Sequence, residues 1–176
     1  MEFNTVLQSR RSIRKFNQEE VSDELVRKII EAGLLAPSAH FRQPWRFLIL
    51  KEKDKEKVVD LIKDYAEESK TEDKSILRTA GLIEQGNVLI LVFNASQENI
   101  KMDTLSIGAC IENMLLESTN LGVSSLWIGN VIPVSQEIYQ VFDISNLELM
   151  SGVLLGYFDG EVPNLTRKTY EDVVIR

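Results

Sequence analysis

Cysteine and histidine are scarce in this chain of 176 residues, which contains one of each, Cys110 and His40. One cysteine excludes an intramolecular disulfide and a cysteine-rich metal site, and one histidine excludes a multi-histidine metal centre. A catalytic Cys–His pair would have to join these two residues, but Cys110 lies in an apolar helical pattern where cysteine is usually a core residue. We therefore expect no metal site and no catalytic side chain, and an enzyme of this composition would depend on a bound cofactor.

Long apolar runs are also missing, since no stretch approaches the roughly 20 residues that a membrane-spanning helix needs. Acidic residues outnumber basic ones, 27 to 20, and the net charge of −7 argues against general nucleic-acid binding. The first residues carry charges but no apolar segment of the kind found in signal peptides. We expect a single domain over residues 1–176, in the cytoplasm, with neither a membrane nor a nucleic-acid partner.

The pattern of apolar residues predicts that helices and strands alternate along the chain. One predicted helix begins after Ser22, a candidate N-cap, and stops before Pro37. The other predicted helices cover residues 3–9, 54–70, 75–85, 103–121 and 135–142. Predicted strands cover residues 46–50, 88–93, 123–128 and 147–157, and the segment TYEDVVI at 169–175 is strand-like. The continuous apolar run VLILVF at 88–93 is typical of the middle of a covered sheet, so we expect three layers with helices covering a sheet.

The predicted helix at 103–121 is apolar on nearly all of its surface. One side carries Ile107, Cys110, Ile111, Met114, Leu115 and Leu121, and other sides carry Leu105, Ala109 and Leu116. A helix of this kind is buried on all sides. In so small a protein a second subunit would provide that cover most simply.

Four basic residues within six positions form the segment RRSIRKF, in which Arg10, Arg11, Arg14 and Lys15 surround Ser12. On an acidic chain, such a cluster points to a local task, and holding a small anion such as phosphate is the simplest one. Arginine suits this task because its planar fork can bind two phosphate oxygens, and Ser12 would add a hydroxyl. The alternative is a solvated basic helix end.

The segment APSAHFRQPW at 36–45 follows a predicted helix and precedes a predicted strand. Its two prolines fix the backbone, Ser38 offers a hydroxyl, and Gln43 offers both a donor and an acceptor. A rigid polar loop of this kind could bind the edge of a flat heterocycle. The alternative is an ordinary helix-to-strand turn.

Two further segments are candidates for ligand contact. The strand SSLWIG runs into Gly129, where the missing side chain would let a ligand approach the backbone, although a core strand ending in a turn has the same pattern. Residues 166–168, TRK, hold a second pair of cations near the C-terminus, which could equally be a solvated tail.

The chain resembles the FMN-dependent nitroreductase family over nearly its whole length. The resemblance depends on four features in order: RRSIRKF, APSAHFRQPW before a strand, a buried helix leading to LGVSSLWIG, and GYFDG followed by TRK. It implies an α+β fold of three layers, with a central, mainly antiparallel sheet covered by helices. It also implies an intertwined homodimer with FMN at the interface, in which the helix at 103–121 is the interface helix.

The resemblance also assigns roles to residues that match the family motifs. The residues implied to hold the FMN phosphate and ribityl chain are Arg10, Ser12 and Arg14, with Arg11 close by and Arg167 and Lys168 as further phosphate-binding cations. The residues implied to line the isoalloxazine edge, contributed by the partner subunit, are Pro37, Ser38 and Ala39, with Gln43 supporting their loop. Trp127, Ile128 and Gly129 would lie beside the ring, with backbone groups near its reactive N5.

The implied activity is a ping-pong transfer of hydride from NADH or NADPH to FMN, and then to a nitroaromatic, a quinone or a similar small acceptor. Such a transfer needs stacking and distance control rather than a side-chain acid or base, which agrees with the scarcity of histidine and cysteine. One alternative is a flavin-binding protein of the same fold with a storage, sensing or flavin-modifying role. Another is an anion-binding module that binds no flavin.

The chain departs from the family pattern in its flavin loop and in its length. Phe41 stands where the family usually has asparagine, so its ring could narrow the pocket, stack on a substrate or pack at the interface. The neighbouring His40 could touch substrate, or it is simply a surface histidine. The stretch between Tyr65 and Asn87 leaves little room for a helical excursion that would cap the substrate, so either the site is more open or the substrate is unusual.

Overall fold

The computed structural model describes residues 1–69, 74–96, 98, 100–162 and 165–175. The helices are α1 Phe3–Ser9, α2 Asp23–Leu34, α3 Glu52–Glu68, α4 Lys74–Gln85, α5 Ile100–Asn120, α6 Ser135–Val141 and α7 Tyr170–Val173. The strands are β1 Trp45–Leu50, β2 Val88–Asn94, β3 Ser124–Ile128 and β4 Glu148–Gly156, and short 3-10 turns lie at Ala39–Phe41 and Ile132–Val134. The six predicted helices and four predicted strands are confirmed, with ends shifted by three residues or fewer. Residue 70, the predicted end of the third helix, lies outside the described residues.

The four strands form one antiparallel sheet in the order β1-β2-β4-β3. Both central strands are largely buried, and all seven residues of β2 are inaccessible to solvent. At the outer edge of β3, the basic segment continues the sheet for a single step, because Ser12 forms an isolated parallel bridge with Ser125. The N–H of Ile13 donates to the carbonyl of Ser125 at 3.0 Å. This backbone contact holds the basic segment beside the sheet.

Helices cover both faces of the sheet, so the predicted three-layer α+β arrangement is confirmed. On one face, Leu89, Leu91 and Phe93 of β2 pack with apolar residues of α3, α4 and α6. On the other face, the alternate β2 residues pack with α2 and α5. This alternation follows from the period of two in a strand, and it explains why the β2 sequence is apolar throughout.

Packing of α2 against α5 requires the glycine at position 33. A Cβ on Gly33 would lie 2.8 Å from Cγ of Met114 and 3.0 Å from Sγ of Cys110, which is too close for both contacts to persist without a shift. The start of α2 is fixed as its sequence predicts, because the hydroxyl of Ser22 accepts a hydrogen bond from the N–H of Leu25 at 3.3 Å. These contacts fix α5 against the sheet. No helix among the described residues is both long and apolar enough to cross a membrane.

Within one chain, the exposed side chains of α5 lie in its first two turns. Residues 106–120 are buried or partly buried, and Cys110 and Met114 are inaccessible. The sheet and α2 cover one side of the helix, and α1 also packs against it. Leu105, which is 63% exposed, forms with Ile100 and Met102 an apolar strip that faces outwards. Burial of the helix on all sides, with a second subunit as the cover, stays a prediction.

The prediction of a strand-like segment at 169–175 is wrong, because residues Tyr170–Val173 form a short helix. A capping box starts this helix: the carboxylate of Asp172 accepts from the N–H of Thr169 at 2.8 Å and from its hydroxyl at 3.0 Å. These hydrogen bonds hold the pKa of Asp172 below its ordinary value. Local capping of this kind outweighs the β-propensity of Val173 and Val174, which have no strand beside them to pair with in the described part of the chain.

A buried lysine holds the C-terminal end of α4. The ammonium group of Lys55 on α3 donates to the carbonyl of Glu84 at 3.1 Å and to the carbonyl of Gly86. Both carbonyls lie at the end of α4, where helical carbonyls lack partners and a cation is favoured by the helix dipole. Loss of solvent around Lys55 lowers its pKa, although the ammonium remains hydrogen-bonded to these carbonyls.

We predict that Lys55→Met lowers the free energy of unfolding by about 1.5–3 kcal/mol, because methionine keeps the apolar stem but leaves the carbonyls without their charged donor. Chemical denaturation of the two proteins measures this change. Lys53→Met on the exposed side of the same helix is the control, and we expect its effect to be within about 0.5 kcal/mol. Equal effects of the two substitutions would contradict the capping role.

Candidate functional site

The cationic side chains of the basic segment point in different directions. Ile13 is buried in the core and Ser12 and Arg14 are exposed, as expected where an extended segment alternates between two sides. Arg11 turns back instead, and its guanidinium donates to the carbonyls of Gln8 and, at 2.9 Å, Arg10. Arg11 therefore closes the end of α1, while Ser12 and Arg14 remain accessible.

Arg10 is partly buried against α5. Its Nε lies 3.4 Å from Oε1 of Glu112, and the side chains are 18% and 45% exposed, respectively. Because α5 packs on the same sheet as the basic segment, this ion pair connects the segment to the helix. The sequence gives no indication of this partner, which lies about a hundred positions further along the chain.

Arg14 and Lys15 line a cavity of about 540 Å³ that the basic segment shares with α4. The remaining lining residues are Phe16 from the basic segment and Arg78, Gly81, Leu82 and Gln85 from α4. Three cationic side chains and no acidic one are found among these described residues, so the cavity attracts anions. Arg78 was missed by the sequence analysis. Its spacing from Gly81 and Gln85 indicates one helix face, but nothing in the sequence places Arg14 opposite that face.

Packing within the chain does not require a glycine at position 81. A Cβ at this position would meet no heavy atom within 4 Å, and the residue lies inside α4, where glycine costs about 1 kcal/mol relative to alanine. Gly129, at the end of β3, is exposed, and a Cβ there would likewise meet no heavy atom within 4 Å. Open space at two glycines is what close approach of a ligand to the backbone requires.

The loop from Ala36 to Trp45 contains a cluster of strained backbone. His40, Phe41 and Gln43 have φ values of 51°, 56° and 47°, the left-handed region that favours glycine. Each non-glycine residue in this region costs about 1–3 kcal/mol, and such residues persist only where surrounding contacts hold them. Phe41 is 80% exposed, so the strain carries an aromatic ring outwards.

Hydrogen bonds inside the loop hold its shape. The hydroxyl of Ser38 accepts from the N–H of Gln43 at 3.1 Å, and the carbonyl of Ser38 accepts from the N–H of Phe41 at 3.0 Å. The N–H of Ala39 donates to the hydroxyl of Ser106 on α5, also at 3.1 Å. Ser38 thus supports the loop from within, and Ala39 connects it to the helix, while Pro37 beside them is exposed.

An ion pair also connects this loop to α5. Nε and Nη2 of Arg42 both donate to Oδ1 of Asp103, at 3.0 and 2.8 Å. The side chain of Asp103 is fully buried and that of Arg42 is 16% exposed. Neither residue stands out in the sequence, because Arg42 is one polar residue of a loop and an aspartate in the first turn of a helix ordinarily indicates solvation or capping.

The end of β3 presents Trp127 and Gly129 to solvent but buries Ile128 between them. The indole N–H of Trp127 donates to the hydroxyl of Ser151, and its ring lies 3.8 Å from where a Cβ on Gly108 of α5 would be. The side chain of Ile128 belongs to the core, so only its backbone is available to a ligand.

The second cationic pair, Arg167 and Lys168, is exposed on the tail that follows β4. Neither residue forms a hydrogen bond or ion pair with the described part of the chain, so the single chain does not join this pair to Arg10 and Arg14. Val162, which lies in the tail, lines a small cavity of about 140 Å³ together with Arg11.

Cys110 does not take part in the site. Cys110 lies on α5 with its side chain buried in the core. Burial raises the pKa of its thiol to about 12. The thiol therefore stays protonated at neutral pH, and a protonated thiol is a poor nucleophile.

Known proteins resemble this chain in sequence and fold. A provisionally named NAD(P)H nitroreductase of Bacillus subtilis strain 168, YfhC, is 26% identical over 171 residues, covering 93% of this chain and 88% of the relative. The crystal structure of a provisionally named nitroreductase from Desulfovibrio desulfuricans in complex with FMN superposes with a TM-score of 0.83 at 26% identity, covering 100% of this chain and 96% of that one. A BluB-like flavoprotein from Clostridium difficile 630 superposes with a TM-score of 0.82 at 25% identity, covering 99% and 98%.

The sequence model of the nitroreductase family matches residues 7–157 of this chain. That span contains the basic segment, the strained loop, α5 and the end of β3. Because the match covers most of the chain and includes every element that positions these features, the chain belongs to the nitroreductase family.

Proposed function

We propose that this protein is an FMN-dependent oxidoreductase that passes a hydride from NADH or NADPH to a small acceptor such as a nitroaromatic or a quinone. The observation that carries the proposal is the cationic cavity shared by Arg14, Lys15 and Arg78 on a chain of net charge −7. Support comes from the Desulfovibrio desulfuricans relative, a provisionally named nitroreductase crystallised in complex with FMN.

The residues present fit this cofactor. FMN combines a phosphate of about two negative charges with a flat ring system, so its site needs cations at one place and open, partly apolar space at another. The basic segment and Arg78 supply the cations, and the open positions at Gly81 and Gly129 leave room beside the backbone. The half-exposed ring of Trp127 supplies apolar surface.

In this proposal, Arg10, Ser12 and Arg14 bind the phosphate and ribityl chain, and Arg11 supports them through α1. The side chain and backbone at Trp127–Gly129 lie beside the ring, and Pro37–Ala39 line its edge. Arg167 and Lys168 add cations from the tail. When bound, FMN supplies the hydride chemistry, so the protein has only to orient the reactants and exclude water.

A homodimer is part of the proposal, because the apolar strip on α5 needs a cover. Near this strip an open groove of about 310 Å³ is lined mainly by apolar residues of α1, α2 and α5, among them Phe3, Leu35 and Leu116. Leu35 is 82% exposed and Phe3 is 67% exposed. A second copy of the chain seated on this surface would cover it, and would bring the strained loop and the tail of one copy to the site of the other.

A second candidate function is a flavin-binding protein that stores, senses or modifies flavin. The likeness to a BluB-like flavoprotein, with a TM-score of 0.82, favours this candidate at the level of the fold. The two functions differ in a simple respect: only the oxidoreductase is reduced rapidly by a nicotinamide.

We predict that the protein purified with FMN shows a flavin absorption spectrum that bleaches when NADH or NADPH is added without oxygen. The nicotinamide that bleaches it faster is the reductant. A flavin spectrum that persists would support the storage or sensing function instead. A protein that neither carries nor takes up FMN would contradict both flavin functions.

We predict that Arg14→Ala and Arg10→Ala each weaken FMN binding by about 1.5–3 kcal/mol, because each removes charge-assisted hydrogen bonds. Fluorescence titration of FMN into the flavin-free protein measures the change. Arg27→Ala, which removes an exposed arginine paired with Glu31 on α2, is the matched control and should bind FMN as the parent does. Unchanged binding in both site variants would remove the phosphate assignment.

We predict that Gly81→Ala stabilises the flavin-free protein by about 0.5–1 kcal/mol, since alanine is the better helix former and its methyl meets open space. The same methyl should weaken FMN binding, because it occupies the cavity. Thermal unfolding with and without FMN measures both effects. A variant that gains stability and binds FMN normally would show that the cavity lies outside the flavin site.

A further inference from the structure

The strained loop is held against α5 at two places. Ala39 donates its N–H to Ser106, and one turn of helix earlier Asp103 accepts two hydrogen bonds from Arg42. Between these two anchors lie His40 and Phe41, both with positive φ, and immediately after them lies Gln43, also with positive φ. A segment in this conformation relaxes unless contacts on both sides hold it.

Arg42 occupies the position from which it can control this conformation. It lies between two strained residues, and its guanidinium directs two N–H groups at the same carboxylate oxygen. The carboxylate of Asp103 is fully buried on a helix that itself packs tightly on the sheet and on α2. The loop is therefore anchored to a packed helix of the core rather than left to solvent.

The loop carries the ring of Phe41 outwards, next to Pro37–Ala39, which line the flavin edge in the proposed function. Phe41 is 80% exposed. Among the described residues, this ring belongs to neither of the two apolar cores. A bulky apolar ring exposed beside the proposed flavin edge is available to contact an acceptor.

We propose that Arg42 and Asp103 form a positioning pair that holds His40, Phe41 and Gln43 at positive φ and so fixes Phe41 as a wall of the acceptor site. The proposal rests on the proposed function for the acceptor, but the conformational part stands on the described contacts alone. The pair sets acceptor selectivity through Phe41.

Hydrogen exchange in the flavin-free protein tests the conformational part. The amides of Ala39, Phe41, Arg42 and Gln43 all donate hydrogen bonds within the loop or to Ser106, so they should exchange slowly in the parent. In Asp103→Asn we expect about tenfold faster exchange or more at these amides, with β2 and α4 unchanged. Unchanged exchange at the loop would overturn the proposal, whatever the protein binds.

A control variant tests whether the effect is specific to this ion pair or follows from losing any ion pair. Glu24→Gln removes the exposed partner of Lys28 on α2, and it should leave exchange in the loop as it is in the parent. If Asp103→Asn does not fold, Arg42→Lys tests the same contact, because lysine keeps the charge but cannot direct two N–H groups from one planar fork. Ser106→Ala, which removes the other anchor, should also speed exchange at Ala39.

A double-substitution cycle with Phe41 tests the functional part. We expect Asp103→Asn and Phe41→Ala each to lower kcat/KM for a quinone acceptor about tenfold, and the double variant to fall no more than about twofold further. In Phe41→Ala the affinity for FMN should change less than about twofold, because the backbone at Pro37–Ala39 keeps both of its anchors. Losses of kcat/KM that multiply in the double variant would overturn the role of the pair in acceptor selectivity. If the parent itself shows no turnover, the proposed function fails, while the exchange experiment still decides the conformational role.

Discussion

The burial of β2 on both faces is the constraint on which the rest of the structure depends. Its backbone groups pair with β1 and β4, and its side chains alternate between two apolar cores, so helices must lie on both sides. Three helices cover one face of the sheet and two cover the other. The basic segment lies at the outer edge of β3, and the cationic cavity lies between that segment and α4.

The site concentrates positive charge on a protein that is acidic overall. The cations come from two distant parts of the chain, the segment after α1 and the helix α4, and the sheet and its helices bring them to one cavity. The position of α4 in turn depends on a buried lysine that holds its last carbonyls. A buried residue thus fixes the helix that carries Arg78 into the cavity.

Most of the fold could be predicted from the sequence, because its elements have strong apolar periods. The run at 88–93 indicated a covered central strand, and Ser22 and Pro37 marked the limits of a helix. The tail was predicted wrongly. The β-branched residues at 173–175 indicated a strand, but a capping box starts a short helix there. Arg78 and the Arg42–Asp103 pair could not be found, because their significance lies in contacts between residues more than sixty positions apart.

The sequence predicts the roles of some motif residues better than those of others. A short motif indicates which residue types lie together, as in the basic segment, but it does not reveal which of them are already engaged. Arg11 turns to the end of α1, Arg10 pairs with Glu112 on α5, and Arg14 donates to the carbonyl of Ser12 at 3.3 Å. Three of the four clustered cations therefore have partners inside the protein. The pairing of Arg10 with Glu112 has a consequence for how the guanidinium is presented. The contact is to Nε, and because the side chain of Glu112 is 45% exposed the pair is worth about 1 kcal/mol or less. The carboxylate therefore orients the guanidinium without competing strongly for it, so an incoming anion meets a side chain whose ordering is already partly complete.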